Sequence, residues 1–599
     1  MLGLASERRL DLEELAKIAD SIELKQRDER QISLNLDNNP EFKEEVEKFA
    51  KETPPKPQTD TDREFLERLK AGQRNIFAGN LFHHLFLNKV SFSSAFDFLP
   101  GANNTYDYYE ILQAIFFGLN IGLNSIEAHK LVNSHDLGLL SGRTSSPDEA
   151  SIRRRLNQMS KYQPSEKLID YFANLFLTLG FIDSEVFFID GHFLPYYGLQ
   201  VLAKGYHTVR RLAMKGNEIY VVSDLKGRPL FFITEGCEID FRPIIERAAE
   251  KLIDLGISRP LLVFDRGGYG VYFFSQLSPK ADFITWAKYL NKEELKDLDY
   301  TSCLKFNEKK YLIAEKTKVI RESISTAQKE GRTLPASLEV RVVVFKEIDF
   351  GAPIAIYTSD KKKPAGDIAY YMLSRWGESE NFFKEIISLY NFNYHPGYDL
   401  KELEKQPLVD NPEVKTIKRT IKGIKQRIGQ LVFEEQRIKD KQKTRKDIRL
   451  DKKIIKLQEE IDEFSQEMAK FTLKLNEIPE KVSIIELLQG KPMNKANLEK
   501  KKLYDLIQMT AFHSREHLIR IFRSCYKDTR DIKQVLTKIT NLPGYVKLIR
   551  ETLVVLLDWI EDKRHREAAI KFCHLINGMA AKLSGRMEFN LYFRVSSVP

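Results

Sequence analysis

Two acids stand at the ends of apolar runs. Glu185-Val186-Phe187-Phe188-Ile189-Asp190 closes on Asp190, and Leu261-Leu262-Val263-Phe264-Asp265 closes on Asp265. Near-continuous apolar runs of this length read as strands buried on both faces. Open α/β sheets hold their ligands beyond strand C-termini. On adjacent parallel strands the two carboxylates would lie within a few ångströms of each other. Two like charges so close are unfavourable unless a cation bridges them. Hard oxygen donors suit Mg²⁺, which is usually held by one or two carboxylates, waters and a phosphate. Two such ions about 3.5–4 Å apart can activate an attacking oxygen and stabilise a leaving one. The rival reading is that both acids merely cap loops.

The elements that would position these acids follow from the surrounding pattern. Ile219–Ser223 and Leu230–Ile233 read as strands joined by the turn Asp224–Pro229. A helix is expected over about Arg242–Leu255, then the Asp265 strand, a short helix near Tyr269–Leu277, and the strand Phe283–Trp286. The order is β-β-β-α-β-α-β. Residues 293–362 read as a β-rich insertion, with strands at Tyr311–Ala314, Val340–Phe345 and Ile354–Tyr357. A long helix then runs from about Gly366 to Tyr390. Trp286, on the fifth strand, is expected to fill core. His192 either orients a water or phosphate or packs as a loop histidine.

Before this core, residues 1–61 read as a polar leader ending in Thr53-Pro54-Pro55-Lys56-Pro57, and residues 62–180 as helices. Ser146-Pro147-Asp148-Glu149 predicts a helix start, with Ser146 as cap, Pro147 in the first position and Glu149 completing a capping box. That helix would expose Arg153, Arg154 and Arg155. With a preceding helix near Ser125–Asn133 it would form a helix-turn-helix-like unit. An ordinary surface helix is the alternative.

After the core, Ile417, Ile421, Ile424, Ile428 and Leu431 recur at heptad spacing, as do Ile454, Leu457, Ile461, Phe464 and Met468. This predicts a helical hairpin over 412–480. From Lys415 to Lys456 there are 16 Lys/Arg against 5 Asp/Glu, an excess of 11. The whole chain carries only +9, so the remainder is near neutral. The stretch around Lys439, Lys441, Lys443, Arg445 and Lys446 is either a solvated face or a surface laid along phosphates, where each neutralised phosphate releases counterions. Residues 481–599 read as a helical module with terminal strands at Leu553–Leu557 and Phe589–Val595.

Composition excludes several classes. Hydrophobic residues make up 42% of the 599 positions, enough for packed cores. No apolar run reaches the ~20 residues of a membrane span, so no membrane partner is expected. No apolar h-region follows Met1, so no secretory signal is expected. Cys237, Cys303, Cys525 and Cys573 lack CxxC spacing and fit a reducing cytoplasm.

The strings flanking the acids are distinctive: Asp190-Gly191-His192-Phe193-Leu194-Pro195-Tyr196-Tyr197-Gly198, Phe264-Asp265-Arg266-Gly267-Gly268-Tyr269-Gly270, and Arg375-Trp376-Gly377-Glu378-Ser379-Glu380-Asn381-Phe382-Phe383-Lys384. Over about residues 80–599 the chain resembles the DDE-type transposases of bacterial insertion sequences. Within these it resembles the branch with a β-insertion before the catalytic Glu and a Tyr-Arg-Glu-Lys signature. The resemblance implies an α/β RNase H-like core with the β-rich insertion, an α-helical N-terminal DNA-binding domain at 62–180, and a helical or coiled-coil C-terminal region. It implies that Asp190, Asp265 and an acid on the core helix of 363–411 ligate two Mg²⁺ or Mn²⁺ ions. The signature's spacing is not kept. Tyr371 lies seven residues before Glu378, yet Ser374 and Glu385 stand where the signature has Arg and Lys. Glu380, in Glu380-Asn381-Phe382-Phe383-Lys384, better matches the string after the family's Glu and is taken as the third acid, with Glu378 as the alternative.

By the same resemblance Tyr371, Arg375 and Lys384 would contact DNA. Arg210 and Arg211, which open a turn, are further candidates. The implied partners are double-stranded DNA, both terminal inverted repeats and target, and a second copy of the chain in a synaptic homodimer. The implied setting is the bacterial cytoplasm, at the nucleoid. Two other readings remain: a metal-dependent nuclease on the same core, and a catalytically decayed DNA-binding protein.

Overall fold

Phe187 and Ile189 turn to one side of their strand, and Val186 and Phe188 to the other, and all four are buried. Alternation with period two sends successive side chains to opposite faces, so this strand needs cover on both sides. It is β1 (Phe187–Pro195) of a ten-stranded sheet. The others are β2 (Lys204–His207), β3 (Leu212–Asp224), β4 (Pro229–Gly236), β5 (Leu261–Phe264), β6 (Asp282–Trp286), β7 (Ser302–Phe306), β8 (Lys309–Arg321), β9 (Ser337–Glu347) and β10 (Ile354–Thr358). The order is β2-β3-β1-β5-β6-β10-β9-β8-β7, with β4 also paired to β3. β1, β5 and β6 are mutually parallel, while β3 and β10 flank them antiparallel. This computed structural model describes residues 62–100, 106–208, 210–290, 292–295, 298–348, 351–444, 448–583 and 588–598, with positions 40 and 44; most of the expected leader lies outside them.

The stretch expected as a β-rich insertion forms β7 to β10. Its strands continue the same sheet, because Ile356–Thr358 of β10 pair with Trp286–Ile284 of β6. Trp286 is half-buried and packs against the sheet's core, its ring 6.3 Å from that of Phe345.

Helices from the 62–180 stretch include α1 (Tyr108–Asn120), α2 (Glu149–Ser160) and α3 (Ser165–Thr178). The start of α2 differs from the expectation. Asp148, not Ser146, is the cap, its carboxylate accepting from Ser151 N at 2.7 Å. Ser146 is buried, its N–H bonded to Ser134 O, and Glu149 instead faces Arg153 and Lys130. The helix expected at Ser125–Asn133 is a 3₁₀ segment, Ile126–Leu131, followed by the helix Ser134–Leu140. Two helices cover the central strands. α4 (Phe241–Asp254) places Ile244, Ile245, Ala248 and Leu252 in the cluster that holds Phe187 and Ile189. α5 (Ala365–Tyr390) places Ile368, Ala369 and Met372 in the cluster that holds Val186 and Phe188.

Residues 197–203 and 400–496 form a unit of their own. In it α6 (Pro412–Thr444) and α7 (Ile448–Glu477) pack as the expected hairpin. Leu431, Ile438, Ile454 and Leu457 fill the seam. Ion pairing of Lys453 with Glu434 (3.2 Å) and a Gln458–Glu435 hydrogen bond (2.7 Å) link the two helices.

The rest of the chain, 1–196, 204–399 and 497–599, is the other unit. There α8 (Glu499–Phe522) packs on α1, α3 and α5, so the N-terminal helices share a core with the C-terminal region. The two expected terminal strands form as Thr552–Leu557 and Phe589–Val595 and pair in parallel. They belong to a five-stranded sheet that Gln73–Asn75 completes against Gly544–Val546.

Candidate active site

Ile189 of β1 pairs with Phe264 of β5, so Asp190 and Asp265 are the next residues in register on adjacent parallel strands. Their backbones are therefore about 4.8 Å apart. Alternation puts Asp190 on the same face as Phe188, the face that α5 covers. Asp265 does close its strand. Its carboxylate accepts from Arg266 N at 2.7 Å and caps the 3₁₀ turn Arg266–Gly268. Asp190 does not: β1 continues to Pro195 because β3 goes on pairing with it.

α5 crosses from one core to another. Its first turns pack on the sheet through Ile368, Ala369 and Met372, and its last through Phe382, Phe383 and Ile386. Glu380 lies between these anchors. Burial raises the Asp190 carboxyl above its ordinary range; the Arg375 guanidinium and Gly191 N–H oppose this, and the charges of Asp265 and Glu380 push it further up. Glu380 is thus within electrostatic reach of Asp190. Glu378, two residues away on a helix that turns about 100° per residue, meets Asp224 and Lys533 instead, and burial raises its carboxyl.

The far side of α5 is fixed by a turn. Gly227 has φ +71°, and a Cβ there would sit 2.8 Å from Glu378 O. The fully buried Asp224 binds Arg228 and accepts from Lys226 N and Arg228 N at 3.0 and 2.9 Å. Asp224 also ends an apolar strand, so strand-end position alone does not separate a turn-holding acid from a reactive one. The C-terminus of α5 is held by α8, where Gln508 donates to Tyr390 O (2.6 Å) and Lys501 to Phe392 O (2.9 Å). The buried Lys501–Asp505 pair carried no signature in the sequence beyond its i,i+4 spacing.

The candidate DNA contacts divide. Arg375 is buried, with Nη1 3.4 Å from Asp190 Oδ1, and so does not face a phosphate. Tyr371 is buried too; it donates to Glu185 Oε1 at 2.8 Å, and burial raises its hydroxyl pKa. Arg155 is buried, donates to Tyr106 O at 2.9 Å and lies 4.2 Å from the Tyr108 ring. Arg153 binds Glu127, Glu149 and Pro396 O. Of that trio only Arg154 is exposed, which removes the basic face that a helix-turn-helix-like unit would present. Lys384 is exposed and pairs with Glu380 at 3.0 Å. Arg210 and Arg211 are exposed. In the other unit Lys439 pairs with Glu435 at 2.7 Å and Lys441 is exposed. The Lys443 side chain, Arg445 and Lys446 lie outside the described residues. His192 binds Asn393 Oδ1 at 2.6 Å and stacks on Phe383, as a packed histidine does.

Beyond the Asp265 loop lies a cleft of about 990 Å³. Arg242, Lys288, Lys318 and Arg321 are matched there by Asp240, Glu246, Glu322 and Glu330, so it carries no net attraction for a polyanion.

The donor set suits a hard divalent cation: carboxylates from two neighbouring strands and one helix, each adding to the local negative charge. Among the described residues no three His, Cys, Asp or Glu side chains close into a finished cage. Arg375 and Lys384 lie against two of the acids instead.

A family described as "Transposase protein" matches residues 71–541. The chain belongs to this transposase family. The match spans the central sheet, α5 and the helical hairpin of the transposase. A cryo-EM structure of a piggyBac transposase synaptic complex with hairpin DNA is similar over 53% of this chain and 71% of that one, at 12% identity and a TM-score of 0.28. No curated protein matches. Among the described residues of the transposase no helix is long and apolar enough to cross a membrane.

Proposed function

We propose that this transposase is of the DDE type, with Asp190, Asp265 and Glu380 as its catalytic acids on an RNase H-like core. It binds the ends of a mobile element, hydrolyses a phosphodiester there and joins the freed 3′-hydroxyl to target DNA. The observation that carries the reading is the register of Asp190 beside Asp265, with the Glu380 charge acting on Asp190 while Glu378 feels Asp224 and Lys533. The strand order β4-β3-β1-β5-β6, with only β3 antiparallel to its central neighbours, supports the RNase H-like core. The long α5 packed on that sheet supports it too.

The acids would hold two Mg²⁺ or Mn²⁺ ions, which supply a nucleophilic water at neutral pH and stabilise charge on the leaving oxygen. Asp190 presents its carboxylate from β1 and Asp265 from the turn that closes β5, and Glu380 would reach toward them from α5. Arg375 keeps the Asp190 carboxylate oriented from behind. Lys384, released from its pair when Glu380 turns toward the aspartates, would meet a phosphate. Arg154, Arg210, Arg211 and the basic hairpin supply duplex contacts, and a second copy of the chain holds the other element end.

The test is cleavage by Asp190→Ala and Asp265→Ala on a plasmid carrying the DNA that flanks the gene. Both variants should lose cleavage and keep duplex binding near the wild-type level. Wild-type cleavage by either would overturn the assignment.

A further inference from the structure

The strand pair that carries Asp190 extends well beyond it. Asp190 pairs with Val221 of β3, and the ladder continues to Pro195 opposite Gly216. There β1 stops, but β3 does not. Its first residues, Leu212–Lys215, pair with His207–Lys204 of β2. The result is a two-stranded ribbon that prolongs the central sheet.

The ribbon is built to point in one direction. A Cβ on Gly216 would lie 2.3 Å from Leu194 O, and one on Gly205 would lie 2.8 Å from the Phe193 ring. Only glycine allows this close packing at the base. At the other end Lys204, Arg210 and Arg211 are exposed. Residues 204–215 contain Lys204, Arg210, Arg211 and Lys215 and no acid. Tyr206 is 58% exposed.

We propose that this ribbon is a DNA-docking element that enters a groove of the duplex held at the catalytic acids, an inference that rests on the transposase reading above. A two-stranded ribbon fits the major groove of B-DNA. The basic side chains of this segment suit the phosphates on its two sides. Arg211 lies ten residues before Val221 on β3. At about 3.3 Å per residue that places it at most about 33 Å from the Asp190 level. One turn of B-DNA is about 34 Å. A duplex running along β3, with its scissile phosphate at the acids, therefore presents the same groove to the ribbon tip one turn away. Arg210 and Arg211 act with Lys204 and Lys215 as one surface rather than as isolated turn residues.

The experiment is fluorescence anisotropy of a 30-base-pair mixed-sequence duplex against salt, with the full chain and with the double variant R210E/R211E. A double variant at other exposed sites, R523E/K527E, controls for net charge, and circular dichroism checks folding. The ribbon variant should bind about tenfold or more weakly, and its log–log salt slope should fall by about 1.8, or about 0.9 for each phosphate no longer neutralised. The control should lose clearly less. A ribbon variant with the wild-type affinity and slope, or a control that falls equally, would overturn the ribbon assignment while leaving the catalytic reading intact. Failure of the wild-type chain to bind any duplex would overturn both.

Discussion

The Arg375 guanidinium lies 3.4 Å from the Asp190 carboxylate, Nη1 to Oδ1, and is only 7% exposed. Its Nε has no hydrogen-bond partner among the described residues. Removing the partner of a buried charge costs more than the pair itself contributes. Asp190→Asn should therefore destabilise the fold by about 1–3 kcal/mol, whereas Asp265→Asn, at an exposed position, should cost far less. Urea unfolding of both variants checks this. Equal midpoints would mean that the pair does not hold Arg375.

Gly227 seats the β3–β4 turn against α5. Its φ of +71° and the 2.8 Å approach to Glu378 O leave no room for a side chain. Gly227→Ala should cost about 1–3 kcal/mol and reduce cleavage, because the turn would push on the helix that carries Glu380. Thermal melting together with a plasmid-cleavage assay is the check, and a silent substitution would show that the turn does not position the helix.

The basic hairpin makes a separate electrostatic prediction. Reversing Lys439, Lys441, Lys443 and Arg445 should weaken binding to duplexes of any sequence and lower the salt slope by about 0.9 for each phosphate that is no longer neutralised. An unchanged slope would make this stretch a solvated face.

Several buried histidines predict acid sensitivity. Burial lowers His84 to about 4, and His83, His513 and His517 to about 3. In the unfolded chain each titrates near 6.5. The unfolded state therefore binds more protons below that value, and stability present above pH 6.5 is lost as pH falls toward 3–4. At pH 5.5 the loss is about 1.4 kcal/mol for each histidine. The melting temperature should drop between pH 7.5 and 5.5, and a flat profile would contradict the neutral assignments.

The central sheet was legible because its strands are buried on both faces and so read as unbroken apolar runs. Asp190 and Asp265 followed from those runs, and the heptads of α6 and α7 from their spacing. The fate of individual charges was not legible. Arg155 and Arg375 look like surface cations in a linear string, yet tertiary packing buries one over Tyr108 and the other against Asp190. The cap of α2 lies two residues beyond Ser146 because Ser146 and Asp148 both have capping chemistry, and only the packing of Ser146 decides between them. The strands of the β-rich stretch were legible from their local pattern. The pairing of the stretch to β6 is a long-range fact that local pattern does not carry.

The choice between the glutamates bears most directly on the catalytic centre. Glu380 lies within electrostatic reach of Asp190, and Glu378 meets Asp224 and Lys533. The measurement is cleavage of the flanking-DNA plasmid by Glu380→Gln and Glu378→Gln across a range of Mg²⁺ and Mn²⁺ concentrations. Glu380→Gln should lose metal-dependent cutting by several orders of magnitude, since the amide keeps the shape and removes the charge, while Glu378→Gln should retain most of it. The opposite ranking, or full activity in both variants, would contradict the account.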